Sequence, residues 1–165
     1  MIILHTNFGD IHLELYPEKA PKTVKNFMQY AKDGFYNKTI FHRVIDGFMI
    51  QGGGFGSDMA EMSPSLGKIE NEAKNSLSNQ KGTIAMARTN APHSAQSQFF
   101  INLSNNGFLD HKSESTEGWG YCVFGKVTQG MEIVEKIGKA DTGSRGYHDD
   151  VPLEEVTIER VEIID

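Results

Sequence analysis

Short strand-like segments run through most of this chain and constrain its fold more than any other feature. Apolar side chains alternate with polar ones at Ile11, Leu13 and Leu15, and turn-forming residues 7–10 separate this segment from the apolar stretch 2–6. Alternation with a period of two is typical of half-buried strands, so we expect the chain to begin with a β-hairpin. Six further strand-like segments follow, at 40–44, 48–51, 83–87, 97–103, 121–127 and 156–164.

Two segments have helical spacing instead. Pro21 opens the first, where apolar residues at 24, 27, 28 and 31 would form one face and Gly34 stands where a left-handed cap would end the helix. The second runs from Met131 to Ile137. Eight strands and two helices predict a mainly β protein, and residues 1–165 are expected to form one domain. The strand pattern alone supports either a sandwich or a closed barrel, and closure would remove exposed sheet edges.

Composition excludes several classes of function. The 165 residues carry 16 basic and 22 acidic side chains, a net charge of −6, and the lysines are scattered rather than striped, so we do not expect nucleic-acid binding. No apolar run approaches the roughly 18 residues of a membrane span, and strand-like residues directly after Met1 leave no visible secretory signal. We therefore expect a cytoplasmic protein in which the single Cys122 is a packed, reduced thiol.

Sequence motifs for metal or cofactor chemistry are missing. The six histidines are dispersed without helical pair spacing, and the chain has no His-Glu-x-x-His, Gly-x-Ser-x-Gly or phosphate-loop motif. The glycines at 52, 53, 54 and 56 superficially match a dinucleotide-binding fingerprint, but Ser57 stands where the last glycine belongs. We predict neither a metal nor a cofactor.

Arg43 is the most informative single residue, because its neighbours in residues 40–50 are mostly apolar. An arginine stays charged in a protein and offers a planar fork of donors, which suits an acceptor oxygen rather than proton transfer. If residues 40–51 form a strand-turn-strand hairpin, Gln51 would lie close to Arg43. A second segment, Ala95–Ile101, places Gln98 against a pair of phenylalanines. An isolated arginine of this kind is commonly a packed stem with a solvated head, so the residues alone leave a binding site and ordinary packing both open.

Together, Phe41–Gly54, Gly82–Ala87, Ser97–Ile101 and Val123–Gly125 resemble the cyclophilin family of peptidyl-prolyl cis-trans isomerases, most of all its cytosolic bacterial members. The resemblance covers nearly the whole chain. It implies a closed eight-stranded antiparallel β-barrel capped by two α-helices, with activity on Xaa-Pro bonds and no cofactor. It further implies a catalytic group of Arg43, Gln51 and Phe48, and substrate-binding positions at Met49, Ala87, Arg88, Gln98, Phe100, Phe108, Leu109 and Tyr121.

Three positions depart from the better-known eukaryotic pattern of that family. Arg88 stands where an asparagine commonly follows Ala87, Phe108 where a tryptophan commonly precedes Leu109, and Tyr121 at the position of a pocket histidine. Isomerase activity is expected to survive all three. Phe108 lacks the indole donor that large cyclic inhibitors of the cyclosporin type exploit, so we predict weak binding of such compounds.

The resemblance implies proline-containing polypeptides, unfolded or flexible, as partners, and a monomer is the default assembly. Two alternatives share the same site. A catalytically silent module would only dock proline-containing segments, and a general folding helper would shield unfolded chains without isomerising them.

Overall fold

The computed structural model describes residues 1–164, which form ten strands and two α-helices. Eight strands close into an antiparallel barrel in the order β1-β10-β3-β4-β6-β5-β7-β2. The remaining two form a separate hairpin. The strands are β1 (Ile2–Thr6), β2 (Gly9–Leu15), β3 (Thr39–Ile45), β4 (Met49–Gly56), β5 (Thr83–Met86), β6 (Phe99–Asn102), β7 (Val123–Gln129), β8 (Thr142–Arg145), β9 (His148–Pro152) and β10 (Thr157–Ile163), and the helices are α1 (Pro21–Lys32) and α2 (Met131–Gly138).

Aromatic side chains fill the barrel interior, and helix α1 contributes one of them. Phe27 of α1 is fully buried, with its ring centroid 5.5 Å from that of Phe99 and 5.2 Å from that of Phe124. Gly34, at φ +73°, follows α1 as the pattern predicts. In α2, Val134 and Ile137 are fully buried. The closed barrel with two helices confirms the fold that the family resemblance implies.

The sequence predicts a long connection from Gly52 to Lys81, but the glycines at its start belong to a strand. Residues 52–56 continue strand β4, and the connection begins at Ser57. The glycines serve close packing instead: a Cβ on Gly52 would lie 2.9 Å from the Ile40 carbonyl oxygen, and one on Gly53 2.9 Å from that of Ser97. Because the glycines have no side chains, the neighbouring segments at Ile40 and Ser97 can approach the backbone of β4 closely. Residue propensity alone would instead favour a turn at such a glycine run.

The hairpin β8–β9 was not predicted at all. Its sequences, Thr-Gly-Ser-Arg and His-Asp-Asp-Val-Pro, lack the apolar alternation by which the barrel strands were found. The hairpin packs on β3 and is anchored by Arg145, which lies 3.7 Å from a carboxylate oxygen of Asp58 and 3.9 Å from one of Glu155. The hairpin also packs through β9, where Val151 and Pro152 are buried and the ring of His148 lies 5.0 Å from that of Phe55.

An irregularity in β3 turns one side chain out of the barrel. Phe41 pairs with Gly52 and Arg43 pairs with Gln51, so two residues on β3 are matched by one on β4 and His42 is the extra residue. Phe41 is fully buried in the barrel core, yet Arg43, two residues on, is exposed. In a regular strand these two side chains would share a face, so the bulge is what re-aims Arg43.

Candidate active site

An open cavity of about 250 Å³ lies on the outer face of the barrel, over strands β3, β4 and β6. Arg43, Gln51 and Phe100 stand in adjacent register on these three strands, and Ala85 of β5 continues the row. The cavity is lined by Arg43, Phe48, Met49, Gln51, Ala87, Arg88, Phe100, Leu109 and Tyr121. All nine are among the site residues predicted from the sequence.

The polar side of the cavity is a short series of hydrogen bonds. Arg43 Nη1 donates to Gln51 Oε1 at 3.4 Å, a long contact, and Gln51 Nε2 donates to Gln98 Oε1 at 3.0 Å. Gln98 in turn lies over Gly54, where a Cβ would come within 2.5 Å of its side chain. Gln98 thus orients the side chain of Gln51, whose Oε1 faces the guanidinium of Arg43.

The apolar side is a small cluster separate from the barrel core. Met49, Ala85, Phe100 and Val123 are buried together, and Phe48, Leu109 and Tyr121 pack against them while remaining partly exposed. The Tyr121 ring meets Phe100 edge-on at 5.7 Å, with an interplanar angle of 78°. An apolar floor with a few polar groups on one side is the usual form of a ligand site.

Arg88 is a second cation at the edge of the cavity, and its position is tightly defined. Its Nε donates to the Gly120 carbonyl oxygen at 3.0 Å and its Nη1 to that of Thr89 at 2.9 Å. Its guanidinium carbon lies 4.6 Å from the centroid of the Tyr121 ring, a cation–π contact. Two of the departures from the eukaryotic pattern, at 88 and 121, therefore pack against each other.

Two predicted site residues do not line this cavity. Phe108 is 64% exposed on the rim, where its ring stacks on Phe48 with centroids 5.9 Å apart. Gln98 faces a neighbouring cavity of about 170 Å³ that shares Gln51, Ala87 and Arg88 with the first. The sequence reading missed the other lining residues of that second cavity, which are small or polar and carry no distinctive spacing: Pro64, Thr89, Ser94, Gln96 and Ser97.

Burial governs the titration of two groups near the site. Burial, with the nearby positive charges of His148 and Arg43, lowers the pKa of His42 to about 4. Its ring lies 4.5 Å from that of Phe55, and its Nδ1 finds no hydrogen-bond partner within residues 1–164. Burial raises the pKa of Cys122 to about 11, which agrees with the expected packed, unreactive thiol.

The shape and chemistry of this site suit a short stretch of polypeptide. An apolar floor accepts a small ring, while the guanidinium and amide beside it can bind backbone oxygens. The groove lies on the outer face of a closed barrel that is accompanied by two helices. No helix in residues 1–164 has the length and apolarity needed to cross a membrane.

Comparison with known proteins assigns the family. The family model "Cyclophilin type peptidyl-prolyl cis-trans isomerase/CLD" matches residues 1–163. The chain is 56% identical over 163 residues to peptidyl-prolyl cis-trans isomerase B of Escherichia coli (strain K12), covering 99% of each, and 54% identical over 161 residues to the isomerase cyp18 of Streptomyces antibioticus, covering 98% of this chain and 96% of that protein. This protein belongs to the cyclophilin-type peptidyl-prolyl cis-trans isomerases.

A solved structure agrees with the assignment. A Cryptosporidium parvum cyclophilin type peptidyl-prolyl cis-trans isomerase, crystallised in the presence of the dipeptide Ala-Pro, superposes with a TM-score of 0.84 at 30% identity. The match covers 99% of this chain and 98% of that one. The protein is therefore an isomerase of Xaa-Pro bonds with the cyclophilin fold.

Proposed function

We propose that the 250 Å³ cavity binds the proline ring of an Xaa-Pro segment and that Arg43 stabilises the twisted amide during rotation. The observation that carries this proposal is the placement of Arg43: the bulge in β3 turns it out of the barrel and onto the cavity that Phe100 also lines. A cation at the edge of an apolar ring site can reach the amide nitrogen of that ring.

The barrier to rotation explains why a donor is needed there. Conjugation between the nitrogen lone pair and the carbonyl gives a peptide bond a barrier of roughly 18–20 kcal/mol. When the bond twists, that lone pair becomes localised on a pyramidal nitrogen. A donor aimed at the nitrogen therefore stabilises the transition state more than either planar isomer, which is the requirement for catalysis.

One donor does not account for the whole acceleration. A turnover of about 10³ per second corresponds to a barrier of about 13 kcal/mol, so the site has to remove on the order of 5–7 kcal/mol. We assign the remainder to the apolar walls. Phe48, Met49 and Phe100 exclude water and strengthen the charge-assisted contact, while Leu109 helps to hold the ring as the preceding carbonyl rotates.

The amides and the second cation would bind the backbone on either side of the proline. Gln51 is hydrogen-bonded to both Arg43 and Gln98, so we assign it to orienting the guanidinium and binding a substrate carbonyl. Arg88 and Ala87 border both cavities, which supports their contact with residues that precede the proline. The ring of Tyr121 holds the Arg88 guanidinium in place through the cation–π contact.

We extend the proposal to binding partners and assembly. Proline-containing polypeptides, unfolded or flexible, are the proposed substrates, and the chain is proposed to act as a monomeric, cytoplasmic protein with one domain over residues 1–165. Cyclosporin-type inhibitors are expected to bind weakly, because the ring of Phe108 stacks on Phe48 and has no N–H to donate. Titration calorimetry tests this, and nanomolar affinity would contradict it.

The test of the mechanism compares the wild type with Arg43→Ala, Arg43→Lys and Arg160→Ala. Isomerisation of a short Xaa-Pro peptide is followed by NMR exchange spectroscopy at equal folded concentration. We expect Arg43→Ala to lose at least tenfold in kcat/KM, about 1.4 kcal/mol or more of transition-state stabilisation. Arg43→Lys keeps the charge but not the planar fork and should recover only part of the loss.

Arg160 is the matched control, because it is an exposed arginine on β10 that does not line the cavity. Its substitution should leave kcat/KM within twofold of the wild type. Binding shifts without exchange cross-peaks in the wild type would instead indicate a silent docking module, with Arg43 as a recognition residue. Equal losses in Arg43→Ala and Arg160→Ala would remove the specific role assigned to Arg43.

A further inference from the structure

Three buried asparagine side chains form a continuous chain of hydrogen bonds beside the cavity without lining it. Asn79 and Asn102 are 0% exposed and Asn106 is 4% exposed. Asn106 Nδ2 donates to the backbone carbonyl oxygen of Phe48 at 2.9 Å and to Asn102 Oδ1 at 2.9 Å. Asn102 Nδ2 then donates to Asn79 Oδ1 at 3.1 Å. We call these three residues the asparagine chain.

The far end of the asparagine chain bonds to the segments that carry Leu109 and Tyr121, two other lining residues of the cavity. Asn79 Nδ2 donates to Asp110 Oδ1 at 3.0 Å and to the Tyr121 carbonyl oxygen at 3.3 Å. Asp110 directly follows Leu109, and its carboxylate also accepts from the Asn79 backbone N–H at 2.7 Å and from Ser78 Oγ at 2.5 Å. Partial burial works to raise the pKa of Asp110, but these hydrogen bonds, with Lys112 nearby, lower it on balance.

Both walls that the chain connects stand on irregular backbone. Phe48 lies in the turn between β3 and β4, and Leu109 lies in a single 3-10 turn, Gly107–Leu109. The asparagine chain adds a buried hydrogen-bonded link between these segments to the stacking of Phe108 on Phe48 at the exposed rim. Asn106 adds backbone bonds, donating to the Asn79 carbonyl at 2.7 Å and accepting from the Leu109 N–H at 2.9 Å.

The three side chains of the asparagine chain are shielded from solvent, and this burial is what makes the link rigid. A buried amide that loses its partner keeps its desolvation penalty, so removal of one member leaves the next unsatisfied. The chain therefore behaves as a unit with one geometry. A unit of that kind fixes a distance between two loops more firmly than apolar packing of the same loops would.

We infer that Asn79, Asn102 and Asn106 are positioning residues that set the separation of the Phe48 wall from the Leu109–Tyr121 wall, and so restrict the cavity to the five-membered pyrrolidine ring of proline. The inference rests on the proposed use of the cavity as the proline site. None of the three touches the substrate in this scheme; they act through the walls.

The test measures selectivity for ring size, which a general loss of stability would not change. Two peptides are compared that differ only in proline or pipecolic acid, whose ring is one methylene larger, and kcat/KM is obtained for each by NMR exchange spectroscopy. We expect the wild type to favour proline. Asn106→Ala should shift the ratio at least threefold toward pipecolic acid, chiefly through KM. Asn106→Ser, which retains a hydroxyl donor, should shift it less.

Two further variants make the result decisive. Asn105→Ala is the matched control, because Asn105 is adjacent and exposed and its side chain accepts only from the Lys81 N–H within the described chain, so its ratio should equal that of the wild type. Phe100→Leu alters the cavity wall itself and should change the ratio if proline binds there. A shift in Phe100→Leu but in neither Asn106 variant would overturn the role of the asparagine chain alone. An unchanged ratio in Phe100→Leu and in both Asn106 variants would overturn the proline site together with the role of the asparagine chain.

Discussion

Phe99 and Phe100 are neighbours on β6, yet they belong to two different parts of the molecule. Phe99 is 0% exposed inside the barrel, where its ring meets those of Tyr36 and Phe41 edge-on at 5.4 and 6.0 Å. Phe100 points outward and forms the floor of the cavity beneath Tyr121. The same residue type packs the core on one face of the strand and lines the proposed substrate site on the other.

The difference shows how a closed barrel can carry a site without weakening its core. Successive side chains of a strand alternate between the two faces, so a substrate can be held on the outer face while the inner face stays filled. The bulge at His42 extends this division to β3, where Phe41 faces the core and Arg43 faces the cavity. Binding and packing can therefore be altered separately.

Phe99→Ala should produce the largest effect, on stability. Removal of a fully buried aromatic ring from a packed core typically lowers the free energy of unfolding by about 3–5 kcal/mol. We expect a loss in that range by urea titration, with kcat/KM per folded molecule within threefold of the wild type. A loss below about 1 kcal/mol would mean that the interior is less tightly packed than the ring contacts indicate.

Acid should destabilise the protein through His42, whose ring is buried against that of Phe55. The folded-state pKa of about 4 lies below the unfolded value near 6.5, so the neutral ring is the form that the fold favours. The stability that this group contributes is fully present above pH 6.5 and is lost as the pH falls toward 4. The difference amounts to at most about 3 kcal/mol.

The His42 prediction is checked by urea titration between pH 7 and 4. His42→Phe should flatten the dependence over that range relative to the wild type. Substitution of His148, whose charge is one of those that disfavour protonation of His42, should reduce the slope less, because burial is the larger cause. Parallel curves for wild type and His42→Phe would show that other groups dominate acid unfolding.

Phe100→Ala should weaken the site more than the fold. Full burial of a phenylalanine side chain or a comparable apolar group is worth about 1.5–3 kcal/mol, and part of that contact is made to the substrate ring. We expect kcat/KM to fall roughly tenfold or more, with the main change in KM, and a smaller stability loss than Phe99→Ala causes. The reverse order for either quantity would contradict the division of β6 into two faces.

Arg88→Ala should give the smallest effect, on substrate preference. Arg88 borders both cavities, so an acidic residue on the amino side of the proline should be favoured over a basic one. For a partly exposed charge the difference is about 0.2–1 kcal/mol, a few-fold in kcat/KM. We expect the acidic-to-basic ratio to fall in Arg88→Ala and, in the wild type, to decrease with added salt.

Sequence reasoning found what depends on residue type and spacing. Apolar segments located at least part of every barrel strand, and matched family motifs located all the residues that line the main cavity. The asparagine chain was missed because Asn79, Asn102 and Asn106 look like ordinary loop residues until the fold brings them together. Likewise, glycines 52–56 appeared to be a loop because the close approach of Ser97 and Gln98 depends on tertiary structure.

The closure of the barrel has a consequence for its own synthesis. Strand β1 pairs with β10, Ile2 opposite Ile163, and β10 also pairs with β3. One edge of β1 pairs with β2, and its other edge therefore stays unpaired until β10 has been synthesised. Pairing between such distant segments is slow to form. An isomerase of Xaa-Pro bonds can thus complete its own barrel only after residues 157–163 have been synthesised.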